Sequence, residues 1–374
     1  MKILIVAVNV SNNSKNGSNS VYLERFLSTI QPSEAEAYTL LVCKEGLEIL
    51  KPKYPFFRYE LYELDPYFFS LIRFRRAKRE AMRFQKYVND NNYDCVFISH
   101  YFAYFTRYKL NCRKVVVIHD IIALHEKIKS VFKLKDYIIF KHYFKCQLKT
   151  ADKIIAISDF VRNDIFQVFK WADRNKIAVI RNSVVLSEKT EKIQDFNIGK
   201  YILFVGRPTP YKGFMTALNA YMVLNRKEYK MVFVCKKQGY WNDTVLPFIK
   251  ENKLDNDIIQ LEGVSNENLK WLYENADLFI SPSEHEGFGY TPVEAAICCC
   301  PVVSSTCDSL PEATMGLVNY YEPATDCVAL ANRMKQTLDA PPSEMERLKI
   351  SSLLREEYST KMQAGKIKRL LFLE

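Results

Sequence analysis

Ser281-Pro-Ser-Glu-His-Glu-Gly-Phe-Gly-Tyr-Thr-Pro-Val-Glu-Ala-Ala296 decides how this chain is read. The run Leu278–Ser281 before it is apolar and strand-like. Gly287 and Gly289 then permit a tight loop that leaves backbone amides open. Thr291 has the chemistry of an N-cap and Pro292 that of a first helical residue, so a helix is expected to begin there. A strand, a glycine loop and a helix start in succession form a unit of an α/β sheet. The open amides and the helix dipole both favour a bound anion. Glu294 has two readings. It completes a Thr-x-x-Glu capping box with Thr291, or it binds a ligand at the mouth of the loop.

The same alternation extends outward in both directions. Lys2–Val8, Cys95–Ser99, Lys114–Ile118 and Lys153–Ile157 are Val- and Ile-rich runs. They are expected to be strands of a parallel sheet buried on both faces. Helical patterns fall at about Val21–Ile30 and Tyr67–Val88. A second series begins at Tyr201–Gly206 and continues through Tyr229–Cys235, Ile258–Leu261, Leu278–Ser281 and Pro301–Ser305. Between the two series, residues 187–198 are polar and charged and read as a linker. The expected fold is α/β, with two Rossmann-like doubly wound domains at 1–186 and 199–355. Residues 356–374 are expected to form a helix. Ligands of such sheets sit beyond the carboxyl ends of the strands, and a cleft between two domains is the default site.

Composition narrows the class. With 374 residues, 48% hydrophobic and 26% charged, the chain suits two soluble globular domains. Met1–Val8 turns polar too soon for a signal peptide, and no run of 18 apolar residues suggests a membrane span. The 10 cysteines include the adjacent Cys298, Cys299 and Cys300 but form no CxxC pair and no zinc-ligand spacing. Reduced thiols in a cytoplasm are the simplest expectation. A net charge of +10 favours a polyanionic partner. Nucleic acid is not expected, because no RNP, zinc-finger or helix-turn-helix pattern is present.

The segment resembles the retaining glycosyltransferases of family 4, which have the two-domain GT-B fold. Their Glu-x7-Glu hallmark lies in a context like P-S-x-x-E-G-F-G-x-x-x-x-E-A. Pro282, Ser283, Glu286, Gly287, Phe288, Gly289, Glu294 and Ala295 match it in register. Phe204-Val-Gly-Arg-Pro-Thr-Pro-Tyr-Lys-Gly213 resembles the family's V-G-R-x-x-x-x-K-G. Ile118-His-Asp-Ile-Ile-Ala-Leu-His125, Ile154–Arg162, Val179–Ser183 and Asp308-Ser-Leu-Pro-Glu312 extend the match along the chain.

The resemblance implies a nucleoside-diphosphate-sugar donor, with GDP, UDP and dTDP all open, and a reaction needing neither metal nor cofactor. Glu286 would bind donor-sugar hydroxyls and Glu294 the ribose. Gly206, Arg207 and Lys212 would meet the pyrophosphate, together with the loop residues Gly287, Phe288, Gly289, Tyr290 and Thr291. His119 would stand near the donor sugar. The catalytic candidates are therefore His119, Arg207, Lys212 and Glu286. On the acceptor side the candidates are Gly17, Ser18, His125 and Ser158. The terminal helix 356–374 would pack back on the first domain.

Departures from the family pattern fall mainly on the acceptor side. Gly17 is the only glycine between Asn9 and Ser20, Ser183 stands where Asn-Gly is usual, and Cys300 replaces a common Gly. Two segments are strongly basic, Arg73–Lys86 and Lys127–Lys149. Each is read either as an acidic-membrane contact or as a solvated face over an apolar core stripe. The expected activity is sugar transfer to a saccharide or lipid-linked glycan hydroxyl in cell-surface polysaccharide or glycoconjugate synthesis. A non-catalytic nucleotide-sugar-binding subunit and a sugar-nucleotide epimerase of the same fold are the alternatives.

Overall fold

The computed structural model describes residues 1–11, 18–63, 73–99, 105–125 and 131–372. Contacts divide it into two compact units, Met1–Ser183 with Thr360–Glu374, and Val184–Ser359.

The first unit is built on β1 (Ile3–Val6), β2 (Tyr38–Val42), β3 (Arg58–Leu61), β4 (Cys95–Ile98), β5 (Arg113–Ile118), β6 (Lys153–Ala156) and β7 (Ile177–Val179). They form one seven-stranded sheet in the order β3-β2-β1-β4-β5-β6-β7, and every pairing is parallel. All residues of β1, β2 and β4 are buried, as expected of central parallel strands covered on both faces. The helices are α1 (Ser18–Leu27), α2 (Lys44–Leu50), α3 (Arg73–Asp90), α4 (Val131–Thr150) and α5 (Asp159–Val168). α5 begins where Ser158 Oγ accepts the Val161 N–H at 3.1 Å, an ordinary N-cap.

In the second unit β8 (Lys200–Val205), β9 (Tyr229–Val234), β10 (Ile258–Leu261), β11 (Leu278–Ser281), β12 (Val302–Ser305) and β13 (Asn319–Tyr321) form a parallel sheet. Its order is β10-β9-β8-β11-β12-β13. Around it lie α6 (Phe214–Leu224), α7 (Leu246–Glu251), α8 (Asn266–Asn275), α9 (Tyr290–Ile297), α10 (Leu310–Ala313), α11 (Cys327–Asp339) and α12 (Glu344–Glu357). The core is dense in aromatics: Phe214 stacks on Phe233 with centroids 5.5 Å apart, and Trp241 closes on both. Burying each such side chain stabilises the unit by about 1.5–3 kcal/mol. Residues 187–198 lie along α8. Ser187 Oγ donates to Glu267 Oε1 at 3.0 Å, Thr190 Oγ1 to Glu274 Oε2 at 3.0 Å, and Phe196 is buried against Trp271.

α13 (Thr360–Phe372) belongs to the first unit. It packs beside α1, and Ser183 Oγ donates to Gln363 Oε1 at 2.8 Å.

Each sheet reverses its strand order beside its first strand. In the second unit, β9 lies on one side of β8 and β11 on the other. The switch point therefore lies between β8 and β11, and the loops after these two strands flank the carboxyl edge where doubly wound sheets bind ligands.

Candidate functional site

The loops that meet at this crevice are 206–213, after β8, and 282–289, after β11. Their approach is close. Gly213 has φ 74°, and a Cβ there would run into the Pro282 carbonyl oxygen. The Glu284 N–H donates to the Tyr211 carbonyl at 2.7 Å. This seam brings Lys212 and Glu286, 74 residues apart, into an ion pair through Lys212 Nζ and Glu286 Oε1. Both side chains are largely buried.

Glu286 is held from every side. Ser283 Oγ also donates to Oε1, at 3.1 Å. Its backbone N–H donates to Asp308 Oδ2 at 3.0 Å, and its carbonyl accepts Ser309 Oγ at 2.8 Å. Both side-chain bonds land on Oε1, so Oε2 has no partner among the described residues. The carboxylate thus offers one fixed acceptor oxygen to a ligand hydroxyl. Asp308 itself sits at φ 52°, a left-handed conformation costly for a residue other than glycine, and its Oδ2 also meets His285 Nδ1 at 3.2 Å.

Arg207 follows β8 and is exposed, without a hydrogen bond or ion pair among the described residues. Of the two cations, Lys212 is locked to a carboxylate, and Arg207 is open. Gly206 is tied to the sheet, its N–H donating to the Val234 carbonyl at 3.1 Å.

The start of α9 differs from the sequence reading. The helix begins at Tyr290, and its N-cap is Gly289, at φ 95°. Thr291 lies inside the first turn, so no Thr291–Glu294 capping box forms. The left-handed turn at Gly289 packs against α10, where a Cβ would lie 2.7 Å from Leu310 Cδ2, and the helix starts at Tyr290, two residues earlier than the Pro292 expected. Glu294 instead accepts the hydroxyl of Tyr273, at 3.0 Å. Burial and the adjacent carboxylate push the Tyr273 phenol well up, so it stays neutral and donates. Phe288 is buried against Tyr290 and Tyr358, which fixes the loop backbone from beneath.

The remaining candidates belong to the first unit. His119 follows β5, and its Nε2–H donates to the Ser99 carbonyl, after β4, at 2.8 Å. Burial lowers its pKa, offset in part by that carbonyl, so the imidazole is neutral near pH 7. Tyr22 stands edge-on to the ring at 5.1 Å. Ser158 is buried as the α5 cap. His125 contacts Asp164 through Nε2, at 2.8 and 2.9 Å. Gly17 lies outside the described residues. Ser18 opens α1, with only its backbone described.

Sequence reasoning passed over Tyr273, Ser283 and Ser309, and treated Asp308 as structural. Tyr273, Asp308 and Ser309 act between elements, 21 to 23 residues from their partners, and Ser283 acts within its own loop. Ser283, Asp308 and Ser309 lay inside quoted motifs, whereas Tyr273 carried no signal.

Two parallel sheets of this order, each with an open carboxyl edge, define the GT-B fold class of glycosyltransferases. The family profile described as Glycosyl transferases group 1 matches residues 187–352, and that of Glycosyltransferase Family 4 matches 47–188. The chain belongs to the family 4 glycosyltransferases. O-antigen chain mannosyltransferase B of Escherichia coli is 32% identical over 202 residues, 51% of this chain and 52% of that protein. O-antigen chain mannosyltransferase RfbU of Salmonella typhimurium is 28% identical over 214 residues, 56% and 57% of the two chains. The matched stretch thus spans about half the length of these curated relatives. Among solved structures, Anabaena Alr3699/HepE in complex with UDP-glucose superposes with a TM-score of 0.74 at 15% identity, covering 100% of both chains. That likeness is one of fold.

Proposed function

We propose that this protein transfers a hexose, with retention, from a nucleoside-diphosphate sugar to a hydroxyl of a saccharide or lipid-linked glycan. The observation that carries the reading is the Lys212–Glu286 pair at the topological switch point, with one Glu286 oxygen left for a ligand. In this reading Glu286 Oε2 accepts donor-sugar hydroxyls and Glu294 the ribose. Lys212 and Arg207 receive the charge that builds on the departing diphosphate. Lys acts there as a point charge and Arg as a planar fork. Cations fixed beforehand at such a position need no reorganisation as charge develops. The amides at the start of α9 add a further anion-binding element. The diphosphate itself takes up the acceptor proton on the face of attack, so neither a metal nor a protein base is required. His119 stays neutral as a hydrogen-bonding group beside the sugar. The names of the curated relatives favour mannose as the sugar transferred and O-antigen-type polysaccharide as the product.

E286Q and K212A are expected to lower turnover by 10²–10³-fold, about 3–4 kcal/mol. Both should keep the wild-type circular dichroism spectrum. Full activity in both would overturn the assignment. A thermal-shift panel of GDP-, UDP- and dTDP-sugars identifies the base. Product analysis without acceptor separates transfer from epimerisation, and absence of turnover on every donor would favour a binding subunit.

The partner surface we propose is an acidic membrane face, met by α4. In α3 the apolar residues Ala77, Ala81, Phe84 and Val88 are buried, so its stripe serves the core. In α4, by contrast, Leu134 and Ile138 are exposed on the stripe that continues through the exposed Lys141, Lys145 and Lys149. The Lys149 ammonium lies 5.7 Å from the exposed Trp171 ring. Residues 127–130 and 64–72 lie outside the described residues. All ten cysteines are free thiols, which suits a cytoplasmic location on the inner membrane face. Among the described residues no helix is long and apolar enough to cross a membrane. The doubly charge-reversed variant K141E/K145E should bind phosphatidylglycerol vesicles at least tenfold more weakly than wild type in co-sedimentation, at about 1 kcal/mol per lysine removed. Unchanged binding would dismiss the α4 surface.

A further inference from the structure

His125 and Asp164 are 39 residues apart and meet beyond the carboxyl ends of the adjacent strands β5 and β6. His125 closes the 3-10 turn Ile122–Leu124 that follows β5. Asp164 lies in the second turn of α5, which follows β6. The Asp164 side chain is only 8% exposed, whereas that of His125 is 41% exposed. Both carboxylate oxygens lie within 2.9 Å of the same nitrogen, Nε2.

A buried carboxylate must be satisfied by donors, so Nε2 carries a proton. In the neutral imidazole Nδ1 is then an acceptor, and it has no partner among the described residues. The second nitrogen of a half-exposed ring is thereby fixed as a hydrogen-bond acceptor at the ligand edge of the first sheet. A residue serving only to tie the turn to α5 would not need an imidazole with its other face in solvent.

We propose that Asp164 is a positioning residue that locks His125 in the Nε2–H tautomer, and that His125 Nδ1 accepts a hydrogen bond from a hydroxyl of the incoming saccharide. The proposal rests on the transferase reading above and assigns part of its acceptor side. The bond fixes which hydroxyl is presented, and with it the linkage.

The test uses the full chain labelled with nitrogen-15, and the probes are methyl α-D-mannopyranoside and methyl β-D-glucopyranoside. Long-range proton–nitrogen spectra, with the His125 signals assigned by their loss in H125Q, are expected to show a single Nε2–H tautomer in wild type. D164N, close in shape, should show a mixture. Adding a methyl hexoside should move the His125 Nδ1 resonance in wild type and leave it in place in D164N. With an accepted hexoside, kcat/KM for the acceptor should fall at least tenfold in D164N and H125Q through a raised KM, while both variants keep the thermal shift given by the nucleotide-sugar. A mixed tautomer in wild type, an Nδ1 resonance unmoved by both hexosides, or variants with wild-type acceptor KM would overturn the proposal. A uniform loss of thermal stability and donor thermal shift in both variants would reduce the pair to a structural tie. Absence of any nucleotide-sugar thermal shift in wild type would instead count against the transferase reading, and the Nδ1 titration still decides the role of His125.

Discussion

At Gly213 the backbone takes φ 74° against the Pro282 carbonyl, and no side chain fits there. The position is the hinge of the candidate site, because the residue before it carries the ammonium that meets Glu286. Gly213→Ala must both adopt a left-handed backbone and push the 282–289 loop away. It is expected to destabilise the second unit by about 1–3 kcal/mol through backbone strain. It should also abolish the nucleotide-sugar thermal shift more completely than the stability loss accounts for. Differential scanning calorimetry with and without donor checks this; a normal donor shift would show that the seam tolerates displacement. The motif around Gly213 was plain in the sequence, but the physical demand for glycine was not, since it arises from a carbonyl on another loop.

At the level of elements, α9 shows how tertiary contact overrides a local rule. Thr291 and Glu294 have the spacing of a capping box, yet the helix is capped by Gly289 and Glu294 is engaged by Tyr273 of α8. Tyr273 is completely buried, so its hydroxyl requires a partner and finds the carboxylate. Tyr273→Phe removes that donor from the partly buried Glu294 carboxylate. A loss of about 1–3 kcal/mol in denaturant-measured stability is expected. The donor thermal shift should also be reduced if Glu294 is positioned for the ribose by this bond. Unchanged stability and unchanged donor binding together would show the bond to be idle. The two basic helices make the same point. Their charge patterns are similar in sequence, and only burial distinguishes α3, whose apolar stripe faces inward, from α4, which leaves Leu134 and Ile138 exposed.

For the molecule as a whole, the clearest pH signature comes from Lys114, at the start of β5 in the first unit. It is fully buried. Its Nζ donates to the Tyr108 carbonyl and Thr150 Oγ1, each at 2.7 Å. Desolvation pushes its pKa down to about 7, against an ordinary value of about 10.4. Between those values the unfolded chain holds a proton that the folded one has released, so stability rises with pH across this window. Below pH 7 both states are protonated and the contribution is flat. Lys114→Met removes the proton and keeps the aliphatic stem. Urea titrations at pH 7 and 8.5 should show wild type gaining stability relative to the variant, at up to about 1.4 kcal/mol per pH unit. Parallel curves would place the Lys114 pKa elsewhere.

Buried Val- and Ile-rich strands advertise themselves by composition, and so the two parallel sheets and the GT-B class were legible in the sequence. β2, Tyr38–Val42, escaped notice although it is wholly buried, because no motif adjoined it. β3, β7 and β13 are short and only partly buried, with little periodicity to read. The sequence alone determined the class of fold, the family, and the glutamate and cation types on which a donor site can be built, since these depend on residue chemistry at fixed local spacing. Only the tertiary structure decided that Lys212 is paired while Arg207 is open, that Glu294 answers to Tyr273, and that Asp164 stands behind His125. Those relations join residues from 21 to 74 positions apart. Their physical cause is the sheet order, which sets which loops and helices distant in sequence lie side by side.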